Sequence, residues 1–263
     1  MDNTFDQKVI WITGASSGLG KFMACEFAKQ NGILALSARR TSELEKVLVE
    51  VKKLGGDGMV VPCDILEEQQ VENAVMEIIK QYGRLDVAIA NAGFGIYGRI
   101  EKITAKDWKR QLDGNVTGLA MTAKYAIPHL KISKGRMVLI GSVAAYIPNP
   151  NTGAYGASKA AVRSIGQTLQ IELRGSGVSC TVIHPGFVDS DIARVDNEGI
   201  LHPESKDPRP KNLMWPTDKA AKVMVAAIAK RRKSYVFTGH GKFLAFIGQH
   251  FPVLARWMIG KLG

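Results

Sequence analysis

A repeated alternation of short apolar runs with longer amphipathic stretches constrains this chain more than any other feature. Residues 8–13 (KVIWIT), 33–38 (ILALSA), 58–62, 85–90, 136–140 (RMVLI), 179–184 (SCTVIH) and 234–237 (SYVF) have the length and the β-branched or aromatic content of strands. Residues 21–31, 41–54, 67–82, 107–130, the Ala-rich stretch from Gly153 and residues 217–232 space their apolar side chains as helices do. A strand that is apolar along its whole length is buried on both faces, and a helix between two such strands returns the chain to pair in parallel. The pattern predicts an α/β fold, a parallel sheet with helices on both faces.

In open sheets of this kind ligands sit beyond the carboxyl ends of the strands. The first strand runs into Gly14-Ala15-Ser16-Ser17-Gly18-Leu19-Gly20 and then a helix, so that backbone N–H groups and the helix N-terminus face a pyrophosphate. A glycine loop alone is as often a tight turn; its place after the first strand is what favours a nucleotide site. After the second strand stand Arg39 and Arg40, where a dinucleotide fold usually offers an acid to the ribose 2′-hydroxyl. Two guanidiniums pair with a 2′-phosphate, which favours NADP(H) over NAD(H), although a solvated basic turn accounts for the same residues. Asp64 and Ile65 follow the third strand, and Asn91-Ala92-Gly93 the fourth. Asp64 suits acceptance from an adenine amino group and equally a place at the start of the next helix. Small residues at 92 and 93 let backbone approach a cofactor, or simply turn the chain.

Chemistry converges on residues 141–163, GSVAAYIPNPNTGAYGASKAAVR. Ser142 lies at the tip of the fifth strand, and Tyr155 and Lys159 stand at i and i+4 on one helix face. A phenol of ordinary pKa about 10 is a poor acid or base near neutrality. A cation within about 4–6 Å lowers that value, which makes Tyr155 a candidate general acid or base. A half-buried Tyr beside a solvated Lys explains a lone YxxxK equally well; the accompanying motifs tilt the balance. Asn115, interior to the long helix expected over residues 107–130, is disfavoured by helix propensity and needs a partner, structural or catalytic.

The Gly14-to-Gly20 loop, Asp64, Asn91-Ala92-Gly93, Asn115, Ser142, Tyr155 with Lys159, and His184-Pro185-Gly186 resemble, in order and spacing, the motifs of the short-chain dehydrogenase/reductase family over residues 8–237. The resemblance implies one Rossmann-like, doubly wound catalytic domain over residues 1–240, with seven parallel strands. It implies hydride transfer between NADP(H) and a carbonyl or a primary or secondary alcohol. Cofactor contacts would run through Gly14, Ser16, Ser17, Gly18, Leu19, Gly20, Arg39, Arg40, Asp64, Ile65, Asn91, Ala92, Gly93, Tyr155, Lys159, Pro185, Gly186 and Val188. The catalytic set would be Asn115, Ser142, Tyr155 and Lys159. In it Tyr155 passes the proton, Lys159 lowers the phenol pKa and binds the nicotinamide ribose, Ser142 orients the substrate oxygen, and Asn115 holds a water linking Lys159 to solvent. Two departures stand out. The glycine loop has Ser16 and Ser17 where some NADP-dependent members carry a basic residue, and Asp189-Ser190-Asp191 follows the PGFV turn where many members have a Thr. The family resemblance also makes a homodimer or homotetramer the expected assembly.

Residues 192–216 lose periodicity and gain Pro203, Pro208, Pro210 and Pro216, as a substrate lid does, with Phe187, Leu213, Met214 and Trp215 as its apolar contributions. The net charge of +11 is concentrated late: residues 206–263 hold 12 Lys and Arg against 2 Asp and Glu. Residues 241–263 read as an amphipathic helical extension broken at Pro252, with Phe243, Phe246, Ile247, Leu254, Trp257 and Met258 near one face and Lys242, Arg256 and Lys261 elsewhere. The stretch is too interrupted to span a bilayer. It fits a helix packed on this chain or a partner subunit, or one in contact with something anionic, either a membrane surface on which it lies or an acidic acyl carrier. Nothing resembles a basic groove interleaved with aromatics, so nucleic acid is not an expected partner. Cys25, Cys63 and Cys180 are odd in number and dispersed, which argues against a disulfide framework or a metal site and reads as core residues in a reducing compartment. With a polar N-terminus that lacks a signal peptide, this points to the cytoplasm, peripheral to a membrane if the extension docks there. The expected function is NADP(H)-dependent reduction or oxidation of a hydrophobic small-molecule substrate. A non-catalytic NADP-sensing protein and a membrane scaffold on the same fold are the alternatives.

Overall fold

Seven strands alternate with helices: β1 (Val9–Thr13), β2 (Ile33–Ser37), β3 (Asp57–Val60), β4 (Val87–Ala90), β5 (Arg136–Ile140), β6 (Ser179–His184) and β7 (Ser234–Val236). In the computed structural model, which describes residues 4–197, 200–202, 204–207 and 209–262, they form one sheet in the order β3-β2-β1-β4-β5-β6-β7. Every pairing is parallel. The helices are α1 (Gly18–Ala28), α2 (Thr41–Lys53), α3 (Glu68–Tyr82), α4 (Ala105–Leu112), α5 (Leu119–Ser133), α6 (Gly153–Glu172), α7 (Thr217–Ala229), α8 (Gly239–His250) and α9 (Pro252–Leu262).

The pleat sorts each strand's apolar residues onto two faces. Ile10 and Ile12 of β1, Val87 and Ile89 of β4, and Val138 and Ile140 of β5 pack with α1, α2 and α7 through Phe27, Leu44 and Met224. Val9 and Trp11, Ala88 and Ala90, and Met137 and Leu139 pack against α3, α5 and α6 through Ile78, Leu130 and Val162. Both faces are therefore core, which is why these strands lack polar alternation. Each large side chain so buried contributes about 1.5–3 kcal/mol. Crossovers leave β1 toward β2 and, later in the chain, occupy β4 on the other side. The switch between β1 and β4 opens a crevice at their carboxyl ends.

Two sequence expectations are corrected. The single helix expected over residues 107–130 is two helices, α4 and α5, joined by a π-helical turn over Asp113–Gly118. Thr104 and Asp107 start α4 with a capping box. The turn DGNVTG then brings two glycines and an Asn whose side chain bonds elsewhere, so regular i→i−4 bonding gives way. At the other end of the chain, α7 stops at Ala229 and not at residue 232, because Arg231 takes a left-handed conformation (φ 50°). Its guanidinium donates to the carbonyls of Lys134, Gly135 and Gly177, tying α7 to the β5 and β6 entrances. Cys63 and Cys180 are buried, and burial pushes their thiols up to about 11 and about 12; Cys25 is only half-buried.

Candidate active site

The glycine loop is shaped by its neighbours at the end of β4. Gly14 sits at φ +67°, and a Cβ there would lie 2.8 Å from Ala92 Cα. A Cβ on Gly20 would come within 2.3 Å of the Gly14 carbonyl oxygen, so the start of α1 presses directly on the loop. Asn91 Nδ2 donates to the carbonyls of Thr13 (2.9 Å) and Gly14 (3.1 Å), while Thr13 Oγ1 accepts from the amides of Asn91 and Ala92. The Asn91 side chain is thus committed to holding the loop. Helix α1 begins inside the loop, at Gly18 and not at residue 21. No side chain caps its N-terminus and no acid lies in its first turn, which leaves the amides of Gly18, Leu19 and Gly20 at a positive helix end. The donor chemistry fits a pyrophosphate.

Beyond β2, Arg40 Nη2 donates to Ser16 Oγ across the loop at 3.2 Å, and Arg39 is exposed beside it. Ser16, one of the two departures from a basic glycine loop, is therefore where a guanidinium already reaches. Asp64 does not start helix α3, whose N-cap is Glu67. Its Oδ1 accepts from Leu66 N at 3.1 Å and closes the turn, and the residue is half-exposed. Ile65 packs on Gly118 of the π turn.

The catalytic candidates come together from three elements. Ser142 follows β5, and its Oγ accepts from Ala144 N at 3.1 Å. Tyr155 and Lys159 are on α6, and the Ser142 side chain is near enough to the Tyr155 phenol to favour its ionised form. Lys159 is buried, with Nζ 5.7 Å from the Tyr155 ring centroid and donating to the Ile140 carbonyl at 2.9 Å. Burial lowers its ammonium to about 8. One expectation fails here: the Tyr155 phenol is not held below its ordinary value. Burial pushes it up, opposed by the Ser142 side chain and by the Arg209 guanidinium. The Lys159 ammonium, turned toward the Ile140 carbonyl, is not among the influences that lower it.

Asn115 lies in the π turn and is 1% exposed. Its Oδ1 accepts from Phe94 N (3.0 Å), and its Nδ2 donates to Phe94 O (2.9 Å) and Ser158 Oγ (3.1 Å). All its polar atoms are spent on the strand-β4 loop and on α6, so the side chain positions; only the backbone of the widened turn is free for other work. Gln111 does the same one turn earlier, accepting from Ile96 N and donating to Phe94 O.

The turn after β6 presents backbone, not side chains. Pro185 O accepts from Val143 N, Gly186 abuts Thr238 and His240, and Val188 is buried in the core. In the segment expected as a lid, short 3-10 turns cover Asp191–Arg194 and Lys211–Leu213, and Asn197 exchanges two hydrogen bonds with the backbone of Tyr97. Pro203 and Pro208 lie outside the described residues. Trp215, expected among the lid's apolar contributions, instead packs on Phe237 (5.5 Å) and the core, anchored by parallel bridging to Val188.

Several residues of the site carry no signal in the sequence. Arg209, in the aperiodic segment, donates to the carbonyls of Val188 (3.0 Å) and Ser190 (2.7 Å) and pairs with Asp207. Tyr97 lies 6.1 Å ring to ring from Tyr155, and burial pushes its phenol up. His184 meets Ser142 O at 3.2 Å through Nδ1, and burial lowers it to about 4. His240, from α8, accepts from Phe187 N at 3.1 Å and stacks on the Phe187 ring. Only His184, adjoining the Pro185-Gly186 turn, was marked by a motif.

Residues 8–200 match the family described as short chain dehydrogenase. Among curated relatives, 11-beta-hydroxysteroid dehydrogenase 1A of Arabidopsis thaliana is 38% identical over 191 residues, covering 71% of this chain and 54% of the relative. The chain spans about half the length of such plant relatives. Dehydrogenase/reductase SDR family member 7 of Mus musculus is 28% identical, over 97% of this chain and 78% of its own. Among solved structures, an alcohol dehydrogenase from Thermococcus sibiricus complexed with 5-hydroxy-NADP superposes with TM-score 0.77 at 27% identity, covering 89% of this chain and 97% of its own. A short chain dehydrogenase/reductase from Burkholderia phymatum in complex with NAD gives 0.79 at 28% identity, over 88% and 89% of the two chains.

Proposed function

Because the chain belongs to the short-chain dehydrogenase/reductase family, we propose that it is an NADP(H)-dependent oxidoreductase interconverting a carbonyl and an alcohol on a hydrophobic small molecule. The observation that carries this is the convergence of Ser142, at the tip of β5, with Tyr155 and the buried Lys159 ammonium 5.7 Å from the Tyr155 ring. Arg39, Arg40 and Ser16 hold the 2′-phosphate, the amides of Gly18 to Gly20 hold the pyrophosphate, and Asp64 Oδ2 takes the adenine amino group. When bound, the nicotinamide supplies or accepts the hydride. Ser142 holds the substrate oxygen against the Tyr155 phenol, which gives its proton to that oxygen in reduction and takes it in oxidation. Lys159, charged below about pH 8, holds the nicotinamide ribose. Gln111 and Asn115 keep the loop after β4 in place, and the backbone of residues 113–118 carries the water path to Lys159.

The 11-beta-hydroxysteroid dehydrogenase relatives support a bulky apolar carbonyl compound of the sterol class as substrate. Residues 192–216 close over it as a lid, latched by Arg209. The working form is a cytoplasmic homodimer or homotetramer. NADPH oxidation followed at 340 nm over a graded series of aldehydes, ketones and ketosteroids, with NADH run in parallel, tests the reading. Turnover is expected with NADPH and about 10²–10⁴-fold less in Tyr155→Phe. Turnover that survives Tyr155→Phe, or that runs only with NADH, refutes it.

A further inference from the structure

The two C-terminal helices bury one face and leave the other apolar. Inward, Leu244, Ile247, Ala255 and Ile259 pack with Val143 and Ile147, next to Ser142. A Cβ on Gly248 would lie 2.2 Å from the Tyr146 carbonyl oxygen, so α8 is seated tightly on that loop. Outward, where a water-facing helix is polar, Phe243, Phe246, Phe251, Val253, Leu254 and Trp257 are 42% to 70% exposed. Phe251, Val253, Leu254 and Trp257 line an apolar groove at the α8–α9 corner. Lys242 and Arg256 flank this face without an ion pair among the described residues, and Lys261 lies over the Trp257 ring at 4.3 Å. No Asp or Glu follows Asp218 in the chain.

We propose that the outer face of α8 and α9 docks in the plane of an anionic lipid surface. Two considerations select this occupant. A second copy seated about a two-fold axis would set Lys242, Arg256 and Lys261 against their own images, with no acid on either helix to neutralise them. Anionic headgroups neutralise them, while the phenyl and indole side chains enter the boundary between headgroups and acyl chains. No described helix is long and apolar enough to cross a membrane, so the helices lie along the surface. Their inner face adjoins the Ser142 loop, which brings the catalytic crevice close to the phase where an apolar substrate collects.

The test is sedimentation of the full chain with vesicles of phosphatidylcholine alone and of phosphatidylcholine with phosphatidylglycerol. Binding is expected to the anionic vesicles and to weaken as salt rises. Replacing Lys242, Arg256 and Lys261 together by Gln is expected to cut partitioning about a hundredfold, at about fivefold per cation. Phe246→Ser with Trp257→Ser removes what remains. All five positions are exposed, so folding is little affected. Independently of any destabilised variant, brominated acyl chains should quench the tryptophan emission of the unaltered chain, and should quench it far less in Trp257→Phe. Equal sedimentation with both vesicle types, absence of quenching, or a dimer that Trp257→Ser dissociates in light scattering overturns the proposal. None of these readouts depends on turnover.

Discussion

Replacing Lys159 by Met separates a residue kept for chemistry from one kept for structure. The ammonium is 5% exposed, and burial brings it from 10.5 to about 8. At about 1.4 kcal/mol per tenfold, that displacement means the charge costs the folded state about 3 kcal/mol at neutral pH. Met fills a similar volume without charge but leaves the Ile140 carbonyl unpaired, a loss of about 1–3 kcal/mol. The variant should therefore be as stable as the parent or up to about 2 kcal/mol more so, while turnover falls about 10²–10⁴-fold. The pH dependence has a definite sign. Between about pH 8 and 10.5 the unfolded chain binds a proton at Lys159 that the folded chain has released, so the Lys159 contribution to stability rises with pH across that window. Above about 10 the Tyr155 phenol, whose pKa burial raises, works in the opposite direction, so pH 8 to 10 is the interval to measure. Urea unfolding of parent and Lys159→Met at steps across it should show the parent gaining on the variant as pH rises, because the buried thiols of Cys63 and Cys180, raised by burial, lower both curves alike and cancel in the difference. A variant destabilised by several kcal/mol, or one that retains turnover, would refute the reasoning.

Three further outcomes follow from particular contacts. Arg39→Ala with Arg40→Ala should raise the KM for NADPH by about tenfold or more, since a hydrogen bond to a charged group is worth about 1.5–3 kcal/mol, and should leave the KM for NADH nearly unchanged; equal effects in parallel steady-state assays would remove the 2′-phosphate role. Asp86, 3% exposed, accepts from Val9 N at 3.0 Å and pairs twice with Arg84. Asp86→Ala should therefore cost about 2–3 kcal/mol in urea unfolding, without changing KM in the folded enzyme. Arg209→Ala removes the donors to Val188 O and Ser190 O, and amide exchange over residues 188–197 should quicken about tenfold or more, at about 1 kcal/mol per lost bond; unchanged exchange would mean that the segment is held by Asn197 and Trp215 alone.

The parts of this molecule legible in its sequence are those fixed by local period and backbone need. Each strand from β1 to β7 lies within two residues of its expected run, most firmly in β1, β4 and β5, whose runs are buried on both faces. Gly14 and Gly20 were legible because a left-handed turn at the one and the Gly14 carbonyl pressed against the other leave no room for a side chain. The π turn at 113–118 was not, because its cause is tertiary: Asn115 reaches Phe94 and Ser158, residues 21 and 43 positions away. The direction of the Tyr155 shift was missed for the same reason. A spacing of four on a helix places an ammonium near a phenol, but the balance between burial and charge is decided by Ile140, which draws Lys159 away, and by Ser142 and Arg209, which come from elsewhere in the chain. This difference bears on mechanism. With the phenol raised by burial, Tyr155 holds its proton firmly at neutral pH, the state a reductase needs before it protonates an alkoxide. Lys159, turned to the Ile140 carbonyl, leaves that balance to burial. Catalysis in the oxidative direction should accordingly demand a higher pH than reduction, and the separation between the two pH profiles measures how far burial outweighs the neighbouring cation.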